Sequence, residues 1–459
     1  MDRKHFIKSI ASASAFLGLP LGANASVQEI NSLLAEERGN GSMIGFNATP
    51  IEKVRVGIIG LGNRGMVLLK MFEWLIQNNK AEIVALCDLK EEKTQKAADF
   101  VSKHQSKKAK QYTGKENTWE TVAKRDDIDL LLIATPWKWH TPMAIYGMEN
   151  GKHVAVEVPI SYTIEDCWKI IETTERTKKH CIMLENCNYN DEELFVLNMV
   201  EQGVFGELTH AECAYIHDLR KHLLDEHYYE DQWRLKHHQD RDGNFYTTHG
   251  IGPVSFYYKI GRGDMFTHLT SMSSKEVALS EAAKRQGKDM KITCGDMNTT
   301  LLKTAKGRTV MMQFDVHTGR PYDRINKLCG TKAVHNGYPS RLYIDKEELA
   351  YWGHQWLNQK EYQAYRNKYT HPMITQLRSK MELFKEGHGG MDFVMIYRLI
   401  SCLNKGLPLD MNVYDGVIWS AITPLSEISV ASNSNTIKIP DFMGGLWKEE
   451  QNLEIMRSI

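Results

Sequence analysis

Gly60, Gly62 and Gly65 stand in the order G-x-G-x-x-G, directly after the apolar run 54–59 and directly before a helical pattern that continues to Ile76. Glycines so placed allow a tight turn and close backbone approach, and the helix N-terminus behind them offers free N–H groups and positive dipole to a pyrophosphate. Asn63 and Arg64 fill the two variable places between the second and third glycines. Asp88 ends the next apolar run, where a carboxylate accepts hydrogen bonds from an adenosine ribose and repels a 2′-phosphate. The chemistry indicated is binding of a nicotinamide dinucleotide, NAD in preference to NADP. Further on, Ala134-Thr135-Pro136-Trp137-Lys138-Trp139-His140 and Glu157-Val158-Pro159 each leave an apolar run at its C-terminal end. Ligands of parallel sheets bind at that edge.

Positioning such residues takes alternating strands and helices. Buried-strand candidates lie at 54–59, 82–87, 129–134, 153–157 and 181–185, separated by helical patterns at 141–150 and 163–178. This βαβ order implies a doubly wound parallel sheet of Rossmann type. A helix is expected at 191–201, opened by Asn190 and closed by Gly203. Beyond about residue 205 longer strands are expected at 207–215, 266–274, 297–304, 309–316 and 324–329, with a hairpin across Lys306-Gly307. Helical patterns return at 373–385, 391–404 and 413–431. The fold class is therefore α/β, an N-terminal Rossmann sheet followed by an α+β domain with an open, largely antiparallel sheet. Division is expected into residues 53–187 for NAD and 188–459 for substrate.

Composition is that of a globular chain. Of 459 residues, 42% are hydrophobic and 25% charged, and 57 Lys+Arg balance 57 Asp+Glu. Such balance gives no field to draw nucleic acid or anionic lipid, and the basic stretch 103–110 reads as a solvated helix end. Residues 1–25 read as an export signal, with a charged head, an apolar stretch over 10–21 and Ala23-Asn24-Ala25 as a small-x-small cleavage site. The head is similar to the twin-arginine pattern with Lys4 as its second basic residue, which implies a periplasmic destination. Residues 26–52 read as a linker, and no later segment is apolar for long enough to span a bilayer. The 8 cysteines show no Cys-x-x-Cys and no paired His spacing, so neither a disulfide framework nor a metal site is expected. Gly387 to Asp392, though glycine-rich, follows no strand and reads as a helix start rather than a phosphate loop. Oligomeric state is open at this level, a homo-oligomer included.

The Rossmann pattern, the T-P-x-x-x-H loop and the Glu-x-Pro turn resemble the superfamily of glucose-fructose oxidoreductase and inositol dehydrogenase. Those dehydrogenases carry a Glu-Lys-Pro lysine that helps move the substrate hydroxyl proton, and here Val158 stands in its place. A narrower resemblance covers residues 53–447. Pro136-Trp137-Lys138-Trp139-His140, Leu184-Glu185-Asn186, Tyr215-Ile216-His217-Asp218-Leu219-Arg220, Trp233-Arg234, Tyr246-Thr247-Thr248-His249-Gly250, Arg320-Pro321-Tyr322 and Gly387-His388-Gly389-Gly390-Met391-Asp392 resemble, in order, glycoside hydrolase family 109. Its members are NAD-dependent α-N-acetylgalactosaminidases. Thr247 replaces the family's proline, which implies a looser turn with no functional side chain removed.

The resemblance implies that Asn63, Arg64, Asp88, Trp137, Lys138, Trp139, His140, Glu157, Val158 and Asn186 contact NAD. It further implies that Glu185, Tyr215, Arg234, Tyr246, Thr247, Thr248, His249 and Tyr322 line the sugar site, with His249, Tyr215, Tyr246 and Glu185 catalytic. Chemistry for these residue types follows. Oxidation at sugar C3 needs a base on O3, and the ketone formed acidifies the C2–H. A base removes that proton, the C1 oxygen leaves, water adds to the enone, and the hydride returns. His249 suits a general acid or base because an imidazole titrates near working pH. Tyr215 and Tyr246 would serve as phenol, or as phenolate if a cation such as Arg234 lowers their pKa, and Arg234 would also stabilise an enolate. A carboxylate-pair mechanism fits a nucleotide fold poorly. Two rival readings are a sugar dehydrogenase or epimerase, disfavoured by Val158, and a non-catalytic sugar-binding protein.

Overall fold

The computed structural model describes residues 41–345 and 355–458. The expected export signal and the linker up to residue 40 lie outside the described residues. Six strands, β1 (Val54–Ile59), β2 (Ala81–Cys87), β3 (Lys110–Tyr112), β4 (Leu130–Ile133), β5 (His153–Val156) and β6 (Cys181–Met183), pair in the order β3-β2-β1-β4-β5-β6. Every pairing is parallel. β1, β4 and β5 are almost wholly buried because helices cover both faces, which is why they read as continuous apolar runs. Among those helices are α1 (Asn63–Lys70), α2 (His140–Glu149) and α3 (Ile164–Thr177).

The expected helix reaching Ile76 is two, broken after Lys70 and resumed at Glu73–Gln77. A helix at Glu91–Val101 and the short β3 have no counterpart in the sequence reading. Residues 103–110 follow that helix with Lys103, Lys107, Lys108 and Lys110 exposed, but Lys110 opens β3.

A second sheet of eight strands runs in the order β13-β12-β11-β7-β10-β9-β8-β14. Its members are β7 (Leu208–Ile216), β8 (Phe266–Ser273), β9 (Asn298–Thr304), β10 (Thr309–Asp315), β11 (Lys327–Gly330), β12 (Ala333–Gly337), β13 (Ser340–Ile344) and β14 (Ile437–Lys438). Only β7 and β10 pair in parallel. The hairpin from β9 to β10 turns at Gly307, whose φ of +85° suits glycine. Further helices are α4 (Trp233–Asp240), α5 (Thr248–Tyr258) against β7, α6 (Met391–Lys405) against α1 and β1, and α7 (Val413–Ala431) against β8. α7 begins with a capping box of Asn412 and Asp415 and is buried on all sides, wedged between α3 and β8. Its apolar circumference welds the two sheets into one core. No helix among the described residues is long and apolar enough to cross a membrane.

Candidate active site

The glycine loop is built by close approach. Gly60 has φ +88°, and a Cβ there would lie 2.6 Å from the Ala134 carbonyl oxygen. One on Gly65 would lie 1.9 Å from the Gly60 oxygen, whereas one on Gly62 would meet nothing within 4 Å. That open space faces the N-terminus of α1, so the cradle fits a pyrophosphate. Asp88 accepts from the Leu61 N–H at 2.8 Å and the Lys90 N–H at 3.0 Å, which fixes its carboxylate beside the loop at the end of β2. Two outcomes are expected. Gly62→Ala stays within about 0.5 kcal/mol of wild-type stability while losing NAD affinity, whereas Gly60→Ala loses about 1–3 kcal/mol through its left-handed backbone; thermal melts with NAD titration separate them. Asp88→Ala shifts preference towards NADP, and an unchanged NAD to NADP ratio of dissociation constants would remove Asp88 as the ribose ligand.

Arg64 is not free to seek a phosphate. Its Nε donates to Glu157 at 2.7 Å, and its two terminal nitrogens donate to Asp392 at 2.6 and 2.9 Å. Asn186 Nδ2 donates to the same Asp392 at 2.7 Å, and His388 Nδ1 lies 2.8 Å from it. Burial opposes charge on Asp392, but Arg64 and His388 outweigh it and hold the carboxyl far below its ordinary value. This network sews the Rossmann loop to the first turn of α6.

His249 sits in the first turn of α5, and its Nδ1 lies 2.8 and 2.9 Å from the two carboxylate oxygens of Glu185. The carboxylate therefore fixes the tautomer, Nδ1–H donating and Nε2 presenting a lone pair. Gly250 and Gly252 let this helix press home: a Cβ on the first would come 3.1 Å from Ala214 N, and one on the second 3.0 Å from Glu185 Cγ. Glu185 is fully buried and also accepts from the Cys187 N–H at 3.0 Å. Burial pushes its carboxyl up, and His249, Thr248 and the Cys187 N–H together push it below the ordinary range. It reaches the cleft only through His249.

Tyr215, at the end of β7, stacks on Tyr246 with ring centroids 4.2 Å apart, and Tyr246 meets the His249 ring edgewise at 4.8 Å. The Arg234 guanidinium lies 4.9 Å over Tyr246 and 5.3 Å over Trp137, and donates to Tyr229 Oη at 3.0 Å. Proximity does not lower the phenols as the sequence reading required for a phenolate. Burial dominates, lifting Tyr215 to about 12 and Tyr246 well above its ordinary value against the pull of Arg234. Both are phenols at working pH.

Residues 54–185 match the family described as an oxidoreductase family with an NAD-binding Rossmann fold, and residues 189–449 match the C-terminal domain of glycosyl hydrolase 109. A protein of Shewanella oneidensis named alpha-N-acetylgalactosaminidase is 43% identical over 465 residues, covering 99% of each chain. The chain belongs to glycoside hydrolase family 109. A family 109 protein of Shewanella sp. strain ANA-3 is likewise 43% identical over 99% of both chains. Among solved structures, levoglucosan dehydrogenase with NADH and levoglucosan superposes with a TM-score of 0.64 at 15% identity, over 85% of this chain and 100% of its own. An NAD-binding oxidoreductase from Klebsiella pneumoniae gives 0.63 at 13% identity, over 85% and 99%. These two show the fold alone. This family 109 enzyme thus binds NAD through its Rossmann domain and belongs among the glycosidases.

The other expected site residues of this family 109 chain divide. Trp137 is buried under the cleft against Trp233 at 5.2 Å and His237 at 5.0 Å. Lys138 is exposed, its Nζ 5.3 Å from the Trp139 ring, which in turn packs towards Trp119. His140 is a buried strut, its two ring nitrogens 2.7 Å from the Pro159 and Thr135 carbonyl oxygens. Val158 is buried beside Glu157. Tyr322 is exposed at the rim and accepts from Arg324 at 3.0 Å. Thr247 and Thr248 are sealed, so neither side chain opens to a sugar; Thr247 donates to the Trp419 carbonyl at 2.7 Å. That bond ties the turn that the missing proline was expected to loosen. Asp392, Tyr229, Trp233 and His217, which lies 3.1 Å from Tyr215 Oη, touch these candidate residues although the sequence reading gave them no role.

Proposed function

We propose that this enzyme hydrolyses terminal α-N-acetylgalactosaminides with NAD carried through each cycle. The observation that carries the reading is a pair of consecutive residues: Glu185 orients His249, and Asn186 joins the Asp392–Arg64 network at the NAD cradle. Proton chemistry and dinucleotide are thereby held side by side. The 43% identical Shewanella oneidensis relative, named for this activity, supports the same substrate.

NAD, when bound, supplies hydride acceptance at sugar C3 and its return. His249 Nε2 takes the substrate proton, and Glu185 steadies the imidazolium that results. Tyr215 and Tyr246 hold their protons at Oη and donate to sugar oxygens. Arg234 stabilises the enolate oxygen of the elimination step. Among the described residues of the site, Glu185 is sealed beneath His249 and Glu157 is paired with Arg64, so these two acids are not a free pair for direct displacement. With Val158 in the lysine's place, the site also lacks that group of an alcohol dehydrogenase. The division between cofactor and substrate units falls, in this proposal, at 187/188, between the spans of the two sheets. Export remains a proposal resting on the charged and apolar segments of residues 1–25.

The test is to incubate the protein, with no NAD added, with an α-N-acetylgalactosaminide chromophore in deuterated water and follow products by NMR. Cleavage with deuterium at C2 is expected. Cleavage with hydrogen retained at C2 would point to direct displacement or to a shielded base that returns the same proton. Free sugar reducing added NAD without cleavage would move the enzyme to the dehydrogenases.

A further inference from the structure

Behind the sugar site lies a second group of chemically able side chains that the proposed reaction does not use. His238 on α4, Cys294 before β9 and His317 just after β10 are all buried, and one ligand atom from each lies within 4.8 Å of the other two. His317 Nε2 is 2.9 Å from His238 Nδ1, while His238 Nε2 and His317 Nδ1 have no hydrogen-bond partner. The Asp296 carboxylate stands 3.6 Å from His317 Nδ1. A carboxylate behind the outer nitrogen of a histidine is the arrangement that orients an imidazole towards a metal. At 3.6 Å Asp296 acts on His317 by its charge rather than by a hydrogen bond, which favours Nδ1–H on the Asp296 side and the Nε2 lone pair towards His238. Phe245 stands edge-on to His238 at 5.3 Å, and the charged neighbours are Arg234 and Arg241 near His238 and Asp242 and Glu427 near Cys294.

We propose that His238, Cys294 and His317 form a buried site for one thiophilic d10 cation, Zn2+ or Cu+. Thiolate sulfur and imidazole nitrogen are the ligand types such ions prefer. On binding, Cys294 releases its thiol proton to solvent and His238 moves its ring proton from Nδ1 to Nε2. Both inner lone pairs and the sulfur then face the cation, and one proton leaves per ion. With Cu+ the thiolate makes the site neutral; with Zn2+ the Asp296 carboxylate balances the remaining charge. The sequence hides the site because its ligands come from three separate elements.

The consequence reaches the cleft. Backbone N–H groups of Thr293 and Cys294 already donate to the His238 carbonyl at 3.0 Å, and Arg234 sits one turn before His238 on α4. A cation here locks the helix that presents Arg234 to the sugar.

The test uses the full chain, stripped by chelation and titrated at neutral pH with Zn2+ and, anaerobically, with Cu+, with bound metal counted by mass spectrometry. Co2+ serves as optical probe. One equivalent is expected, with a thiolate-to-cobalt charge-transfer band that disappears in Cys294→Ser, and Asp296→Asn is expected to weaken Co2+ binding by about 10–100-fold. Retention of one ion and not the other assigns the cation. A wild-type chain that keeps less than stoichiometric metal, or a Cys294→Ser variant with unchanged stoichiometry and band, overturns the site. If Cys294→Ser does not fold, the wild-type cobalt spectrum and the Asp296→Asn affinity decide.

Discussion

His249→Ala is expected to cut turnover of an α-N-acetylgalactosaminide by about 10²–10⁴-fold, the contribution of one positioned acid–base group, while NAD affinity stays unchanged. The expectation rests on geometry: Glu185 engages Nδ1, which leaves Nε2 as the ring nitrogen not held by the carboxylate. The substitution also strands a fully buried carboxylate, and a fall in Tm accompanies it. Glu185→Gln separates the two effects, because an amide keeps the volume and removes the charge. It should share most of the loss in kcat with little loss of NAD, and the double variant should be scarcely worse than either single one. The sign of the pH effect follows from the depressed Glu185 carboxyl. Its stabilising contribution is present above the ordinary carboxylate pKa and is lost only as pH falls through the lower folded value. The His249–Glu185 bond therefore outlasts mild acid. Wild-type turnover in His249→Ala would take this residue out of the mechanism.

What could be read from the sequence follows how local each feature is. The dinucleotide cradle needs only a strand, three glycines and a helix in succession, and Gly60 and Gly65 make in the structure the close backbone approaches their spacing requires. α7 is bounded at 413 and 431 as read, because Asn412 and Asp415 cap it and an apolar run fills it. The helix at Glu91–Val101 escaped because only Thr94, Ala97 and Val101 face the core, too sparse a stripe within Glu, Lys and Gln. β3, at 3 residues, is shorter than any periodicity can register.

The candidate sugar site was legible only through family resemblance. Tyr215, Arg234, Tyr246 and His249 arrive from a strand end, two helices and a loop, and no spacing joins them. Even with the residues in hand, the ionisation of the phenols was not legible. Arg234 beside Tyr246 reads as a pKa-lowering neighbour, yet the depth of burial, a property of the packed core alone, outweighs it. Glu185 was legible as a site residue but not as one sealed beneath another.

Asp392 is the residue least accessible to sequence reasoning, and Asp392→Ala carries the second large expected effect. It is 0% exposed and receives Arg64 twice, Asn186 and His388. Removing it leaves a guanidinium and an amide facing an empty carboxylate position at the boundary between loop and α6. Breaking a buried pair costs about 3–5 kcal/mol; the low end applies, because the Arg64 side chain keeps 25% of its surface and still has Glu157. A loss of about 3 kcal/mol by denaturant unfolding is therefore expected, together with weaker NAD binding, since Arg64 and Asn186 flank the cradle. His249→Ala affects turnover and spares NAD, whereas Asp392→Ala affects NAD first. The cycle with Arg64→Ala sharpens the test: if the pair acts as a unit, removing both partners costs less than the sum of the single losses. Additive losses, or an NAD affinity unmoved by Asp392→Ala, would show that the network braces the fold without shaping the cofactor site.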